Sequence, residues 1–198
     1  MGLVYAAMKQ AFEYVVAEFG VGESIALSLF GWEGDKITCV AQLDVGFDEP
    51  HSTENHVRRT AEAAMVMRRG WGVDAFTLAA EGYVSNDPDF SRGRPLAEAF
   101  VEDDGSKVSE CLTLLHVDSS QPRILAVPYQ TKSRTNIVWG DVMVTDEPTH
   151  IRDNAFLKVI AHALLADVME PPTDIDTFHL ALSMGLEQSA GFFLNYSL

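Results

Sequence analysis

A carboxylate within a strand-like sequence is the first candidate for chemistry. Residues 73–85 alternate between an apolar face and a face of small and semi-polar residues, and the second face ends in Glu81 and Tyr83. A carboxylate beside a phenol, where a strand leaves a sheet, can hold a ligand or exchange a proton. Glu81 is therefore the first residue to place in the fold.

The polar stretch after this strand brings cations to the same place. Residues 86–95 are irregular and polar, and they contain two arginines. Loops of this kind often carry function when a rigid scaffold holds them. One interpretation is a ligand-binding site whose members are Glu81, Tyr83, Arg92 and Arg94. The other is a buried Glu81 that pairs with one of these arginines, or with Lys107, and so holds the loop in place.

The histidines and cysteines do not form a known catalytic or metal-binding motif. Cys111 and His116 lie five positions apart on a predicted strand, which puts them on opposite faces. His51 and His56 would lie ~140° apart around a helix, so they share a ligand face only if the helix begins after His51. Glycine-rich phosphate loops, Gly-x-Ser-x-Gly and His-Glu-x-x-His are also missing from the sequence. We predict no catalytic residue, no metal ligand and no cofactor, and whether the chain is an enzyme stays open.

The charge balance restricts the class of partner. The chain has 29 acidic and 14 basic residues, a formal net charge of −15. Such a charge repels phosphate backbones and anionic lipid, so neither nucleic acid nor a membrane is the expected partner. It suits a basic protein partner or mimicry of DNA, whereas self-association is predicted from the apolar C-terminus. We interpret Cys39 and Cys111 as buried free thiols, as expected in a reducing compartment. Because we also find no signal peptide and no membrane helix, we expect a cytoplasmic protein.

Hydrophobic periodicity predicts the fold class. Apolar residues recur at helical spacing in four segments and alternate in six others, which gives the order αββαβ(β)βββαα. The strand in parentheses is 96–101, which the pattern also allows as a short helix. The predicted helices are 3–19, 52–69, 148–169 and 177–188, and the predicted strands are 24–30, 36–43, 74–85, 108–117, 123–131 and 136–144. We predict an α+β fold in a single domain. A mostly antiparallel sheet of about five to six strands would carry helices on one face and a C-terminal helical pair.

The C-terminal part of the chain is the predicted place of association. We expect residues 1–148 to form an α+β core domain, and residues 149–198 to form C-terminal helices that pack on the core or are used for association. The last residues are too apolar to be left in water, so they dock on the core or on another chain. The candidate interaction residues are Phe192, Phe193 and Tyr196.

A resemblance extends this interpretation. Residues 74–83 (DAFTLAAEGY) resemble a segment of small uncharacterised α/β proteins from bacteria and their phages. The shared pattern is an apolar strand that ends in Glu81, Gly82 and Tyr83, then a polar stretch, then a basic residue two positions before a Glu that opens the next strand. The matching residues here are Lys107 and Glu110, which are three positions apart. Lys107 stands where that pattern has an arginine. The resemblance implies no known activity, and it favours a phage-linked or accessory protein.

Together these observations predict a non-enzymatic acidic interaction protein, a phage-encoded accessory or a virion-associated component. The alternative is an enzyme or small-ligand binder with a site around Glu81 and the 86–95 loop.

Overall fold

An antiparallel sheet organises this computed structural model. The structure describes residues 1–22, 24–43, 52–85, 108–119, 122–145 and 154–167, and the backbone of 192–196; the side chains at 52, 53, 85, 108 and 145 are also left aside. The helices are α1 (Gly2–Phe19), α2 (Ser52–Trp71) and α3 (Ala155–Leu164). The strands are β1 (Leu27–Glu33), β2 (Lys36–Leu43), β3 (Ala75–Ser85), β4 (Val108–Val117), β5 (Arg123–Ser133), β6 (Asn136–Trp139), β7 (Met143–Thr145) and β8 (Phe192–Tyr196).

The strand that holds Glu81 lies in the middle of the sheet. The order is β6-β5-β4-β3-β1-β2-β8, and β7 pairs with β5 beyond the end of β6. Each of these pairs is antiparallel. The predicted class, one α+β domain around a mostly antiparallel sheet, is confirmed. The sheet has eight strands rather than five to six, because the tail adds β8 and one predicted strand is divided.

Helices cover both faces of the sheet, which corrects the prediction that they lie on one face. On one face the buried residues of α1 (Val4, Met8, Phe12, Val16) pack with Phe30, Ala79 and Leu114. On the other face α2 and α3 contribute Met67 and Ile160 to a cluster with Leu29, Leu78 and Leu115. Successive strand residues therefore alternate between two dry layers. The physical reason is that β1, β3 and β4 are apolar on both sides, so a single helical layer would leave one side in water.

Pro128 explains why the predicted strand 136–144 is divided into β6 and β7. Gly140 donates its N–H to the carbonyl of Pro128 at 2.8 Å, and proline has no N–H to return. The register also changes there. Tyr129 pairs with Trp139, and Ala126 pairs with Met143. Two residues lie between the paired positions on β5, whereas three lie between those on the opposite segment. One extra residue is a bulge, so this edge of the sheet is interrupted and short.

The C-terminal part of the chain joins the same fold. The helix α3 is shorter than the predicted 148–169, and its buried residues belong to the cluster that contains α2. The predicted helix 177–188 lies outside the described residues. The tail forms β8, which pairs with β2 from Leu43↔Phe192 to Cys39↔Tyr196. The sequence predicts that the tail docks on the core or on another chain, and in the structure its backbone pairs with the core strand β2.

No helix in the described part of the chain is long and apolar enough to cross a lipid bilayer.

Replacement of Gly31 by alanine should destabilise the fold. A Cβ at this position of β1 would lie 2.7 Å from Cys39 Sγ and 2.8 Å from Val73 Cγ1, both in the buried layer under α2. Overpacking of this kind costs about 1–3 kcal/mol of the free energy of unfolding, which urea denaturation measures.

Gly70→Ala is the matched control. A Cβ at Gly70 in α2 would meet nothing within 4 Å, so the change should stabilise the helix by up to about 1 kcal/mol. Equal effects of the two substitutions would contradict the packing account.

Candidate functional site

Glu81 is held by hydrogen bonds from two distant parts of the chain. Its Oε1 accepts the backbone N–H of Ile25 at 2.6 Å, and its Oε2 accepts the hydroxyl of Tyr129 at 3.1 Å. Ile25 leads into β1 and Tyr129 lies on β5. The carboxylate therefore connects the segment before β1 with β5 across the layer covered by α1, and both of its oxygens are engaged.

The environment of Glu81 favours its neutral form. Burial raises the pKa of the carboxyl, the hydrogen bonds from Ile25 and Tyr129 lower it, and the charge of Glu110 raises it. Burial also raises the pKa of Tyr129, and the nearby Glu81 raises it further. Tyr129 is therefore a hydrogen-bond donor at every physiological pH. Glu81 is partly buried, and a carboxyl with a fixed donor on each oxygen has the character of a structural group.

The structure places only part of the candidate site predicted around Glu81. Tyr83 lies on the same face of β3, two residues nearer its end, and is 49% exposed. Arg92, Arg94 and Lys107 lie outside the described residues. The sequence-based hypotheses did not include Tyr129. Its alternation on β5 was visible, but the register that brings it to Glu81 was not.

The candidate interaction residues Phe192, Phe193 and Tyr196 lie on β8. The structure describes their backbone, which pairs with β2 at the edge of the sheet. Their side chains are outside the description, so their use in binding a partner stays a prediction.

A second polar group, which the sequence analysis did not find, crosses the other end of β3. Trp32 Nε1 donates to Thr77 Oγ1 at 2.9 Å, and Thr77 Oγ1 lies 2.9 Å from His116 Nδ1. His116 Nε2 lies 3.4 Å from Asp118 Oδ2. These residues come from β1, β3 and β4 and the segment after β4. The pairing of Thr77 with His116 across β3 and β4 depends on strand register, which the sequence pattern does not contain.

The hydrogen bonds determine where the proton of His116 lies. Thr77 is fully buried, and its oxygen already accepts the indole N–H of Trp32. Its own hydrogen needs an acceptor, and Nδ1 of His116 is the acceptor within reach. The proton of the neutral imidazole is therefore on Nε2, which faces Asp118. Burial lowers the pKa of His116, which opposes a second proton, although Asp118 raises that pKa. The α-amino group of Met1 and Arg123 also lower it.

The residue types resemble a hydroxyl–imidazole–carboxylate triad, but the geometry does not permit nucleophilic catalysis. In such a triad the hydroxyl is open to substrate and the base accepts its proton during attack. Thr77 has 0% exposure and lies under Trp32, so no substrate reaches its oxygen. Trp32 and Thr77 are buried while His116 and Asp118 are partly exposed, and the contacts among them hold the Trp32 and His116 rings edge to face, with centroids 6.4 Å apart.

A cleft opens beside this network. It has a volume of about 360 Å³, and the residues that line it are Met1, Trp32, Gly34, Asp35, Asp74, Ala75, His116, Asp118 and Ser119. Three of these are aspartates, and none is a lysine or arginine. Both oxygens of Asp74 accept the N–H of Gly34, at 3.0 and 3.2 Å, so this carboxylate is fixed at the turn between β1 and β2.

The remaining groups that could react are the two cysteine thiols, and both are almost inaccessible to solvent. Cys39 and Cys111 are free and buried, and burial raises the pKa of both thiols, that of Cys39 to about 11. Thiols in this state are poor nucleophiles. Within the described ranges no three His, Cys, Asp or Glu side chains are arranged to hold a metal ion.

Comparison of the chain with protein-family models, with curated proteins and with solved structures finds no match. The class of the protein therefore follows from the fold and the site. It is an α+β domain with a central antiparallel sheet, helices on both faces and an acidic cleft at one end.

Glu81→Gln should remove a pH-dependent part of the stability. Burial raises the folded-state pKa of Glu81 above 4.5. The contribution of Glu81 to the free energy of unfolding is therefore fully present below that pH, and it is lost as pH rises through the raised value. Urea denaturation of wild type and variant from pH 4 upward measures this. The wild-type minus variant difference should fall with pH, and a constant difference would contradict the account. Glu110→Gln should move the fall to lower pH, because it removes a charge that raises the same pKa.

Thr77→Val should destabilise the chain more than Thr77→Ser. Valine leaves the indole N–H of Trp32 without its acceptor, and an unsatisfied buried donor costs about 1–3 kcal/mol. Serine keeps the hydroxyl. The indole N–H resonance of Trp32 should shift in the valine variant and stay close to its wild-type position in the serine variant. Equal stability of the two would show that the network does not depend on the hydroxyl.

Proposed function

We propose that this chain is a non-enzymatic binding protein whose acidic cleft receives a basic group of a partner. The observation that carries the proposal is the cleft beside Trp32 and His116, in which Asp35, Asp74 and Asp118 line a volume of about 360 Å³. The lining residues carry three carboxylates, against one cation, the α-amino group of Met1. The net charge of −15 attracts the same class of partner over a longer range.

The walls of the cleft suit a cationic side chain in more than charge. Burial lowers the pKa of His116, which favours its neutral form, and the fixed Asp74 supplies a carboxylate that needs no reordering. Preorganised acceptors of this kind reduce the entropic cost of binding.

Catalysis is less well supported by the same geometry. The oxygens of Glu81 accept internal hydrogen bonds, and Thr77 is sealed under Trp32. The alternative function, an enzyme or ligand binder around Glu81 and the 86–95 loop, rests on the raised pKa of Glu81, a feature of many functional sites. The sequence resemblance to proteins of bacteria and their phages suggests an accessory or virion-associated setting, which we keep as part of the proposal.

Neutralisation of the cleft should weaken the binding of a basic probe. We expect a hexa-arginine peptide to perturb the His116 and Trp32 resonances of the folded chain. Asp35→Asn and Asp118→Asn should each lower its affinity about fivefold, since one charge pair at about 4 Å contributes ~1 kcal/mol in water. Nuclear magnetic resonance titration measures both effects.

Asp141→Asn is the matched control, because Asp141 is exposed beside the interrupted strand edge at the far side of the sheet. If this control lowers the affinity as much as the cleft variants, the peptide follows the net charge and the cleft is not a site. Absence of any change at His116 would contradict the proposal equally.

A further inference from the structure

His116 contacts both the sealed interior of the fold and the acidic cleft. One ring nitrogen, Nδ1, lies 2.9 Å from the hydroxyl oxygen of Thr77, a residue with 0% exposure. The other nitrogen, Nε2, lies 3.4 Å from Oδ2 of Asp118, whose side chain is 30% exposed. The ring itself is 13% exposed and lines the cleft. A change in its protonation therefore reaches the cleft and the buried network together.

The neutral ring satisfies the groups on both of its sides. Thr77 donates its hydroxyl hydrogen to Nδ1, while its oxygen accepts the indole N–H of Trp32. The hydrogen on Nε2 faces the carboxylate of Asp118. Each ring nitrogen thus has the partner that its donor or acceptor character requires. In this state the wall of the cleft carries no charge at His116.

A second proton changes both sides of the ring. Nε2 already holds a hydrogen, so the proton goes to Nδ1, which becomes a donor. It then faces the oxygen of Thr77, and the hydroxyl hydrogen of Thr77 loses its acceptor. On the cleft side, the imidazolium forms an ion pair with Asp118 and adds a positive charge to the lining. The cleft therefore favours the charged ring, and the buried side opposes it.

We propose that His116 is a proton switch of the acidic cleft: the neutral ring leaves the carboxylates to a partner's cation, and the protonated ring pairs with Asp118 and releases that cation. This inference rests on the proposed function, because it regulates the binding assigned to the same cleft. The proton comes from solvent, and the N–H bond at Nδ1 is the one bond that forms. Histidine suits this role because its ordinary pKa lies between pH 5 and 8.

Charged groups from several parts of the chain set the pH at which the switch works. Burial is the largest influence, and it lowers the pKa of His116 below 6.5. Asp118 raises this pKa, while the α-amino group of Met1 and Arg123, the partner of His116 on β5, lower it. Two further carboxylates and two uncharged side chains face the cleft or the ring: Asp35, Asp74, Trp32 and Thr77. The switch should therefore work in mildly acidic solution, below pH 6.5.

Nuclear magnetic resonance titration of the folded chain with the hexa-arginine peptide, from about pH 7.5 to about pH 5, tests the switch. The affinity of wild type should fall as His116 takes up its proton, by up to about fivefold, since one unit charge at about 4 Å has an effect of this size in water. Without the peptide, the imidazole resonances of His116 and the indole N–H resonance of Trp32 should shift with a common midpoint.

Two substitutions should move that midpoint in opposite directions. Asp118→Asn removes a charge that raises the pKa of His116, so the midpoint should move to lower pH. Arg123→Gln removes a charge that lowers this pKa, so the midpoint should move to higher pH. Arg123 is exposed and lies outside the lining of the cleft. The second variant therefore changes the proton affinity of the ring without changing the wall of the cleft.

His116→Gln removes the switch but keeps the contacts of the neutral ring. The amide oxygen of glutamine can accept from Thr77, and its NH₂ group can donate toward Asp118. This variant should bind the peptide with nearly the same affinity at both ends of the pH range. His162→Gln is the matched control. His162 is exposed on α3, on the other face of the sheet, so its replacement should leave the pH dependence of wild type in place.

The outcomes separate this inference from the proposed function. Absence of peptide binding at about pH 7.5 would contradict the proposed function, and the switch with it. Binding at that pH with an affinity that stays constant while His116 takes up its proton would contradict the switch alone. An equal fall in wild type and His116→Gln would do the same, as would a ring that stays neutral down to about pH 5. So would midpoints that do not move in Asp118→Asn and Arg123→Gln.

Discussion

The burial of both faces of β3 is the constraint on which the rest of the structure depends. The strand occupies the middle of the sheet, with α1 on one side and α2 and α3 on the other. Where the strand is covered on both faces, a polar side chain is removed from bulk water, so it needs a partner from within the protein. Thr77 and Glu81 are the two clear cases, and each is satisfied by residues from neighbouring strands or the segments that lead into them.

These two polar groups stabilise opposite ends of the same strand. Thr77 connects Trp32 to His116 near the start of β3, and Glu81 connects Ile25 to Tyr129 near its end. Both lie on the face covered by α1, which therefore contains the buried polar network as well as the aromatic cluster of Phe12, Tyr129 and Trp139. Groups that would be catalytic elsewhere are here part of the packing. The surface beside them that stays open is the acidic cleft.

The acidic cleft is the open surface whose chemistry the structure defines. It is polar and negatively charged, and electrostatic attraction acts on it over a distance that salt limits to ~10 Å at 0.1 M.

The sequence by itself determined the class of fold, the helices α1 and α2 and the antiparallel strands. These follow from periodicity and turns, which are local properties of the chain. Only the tertiary structure decided that helices cover both faces, that Pro128 interrupts the edge strand, and that Glu81 meets Ile25 and Tyr129. It also decided that Thr77, His116 and Asp118 form a network beside a cleft. Strand register and the packing of layers join residues far apart in the chain, and no spacing in the sequence records those contacts.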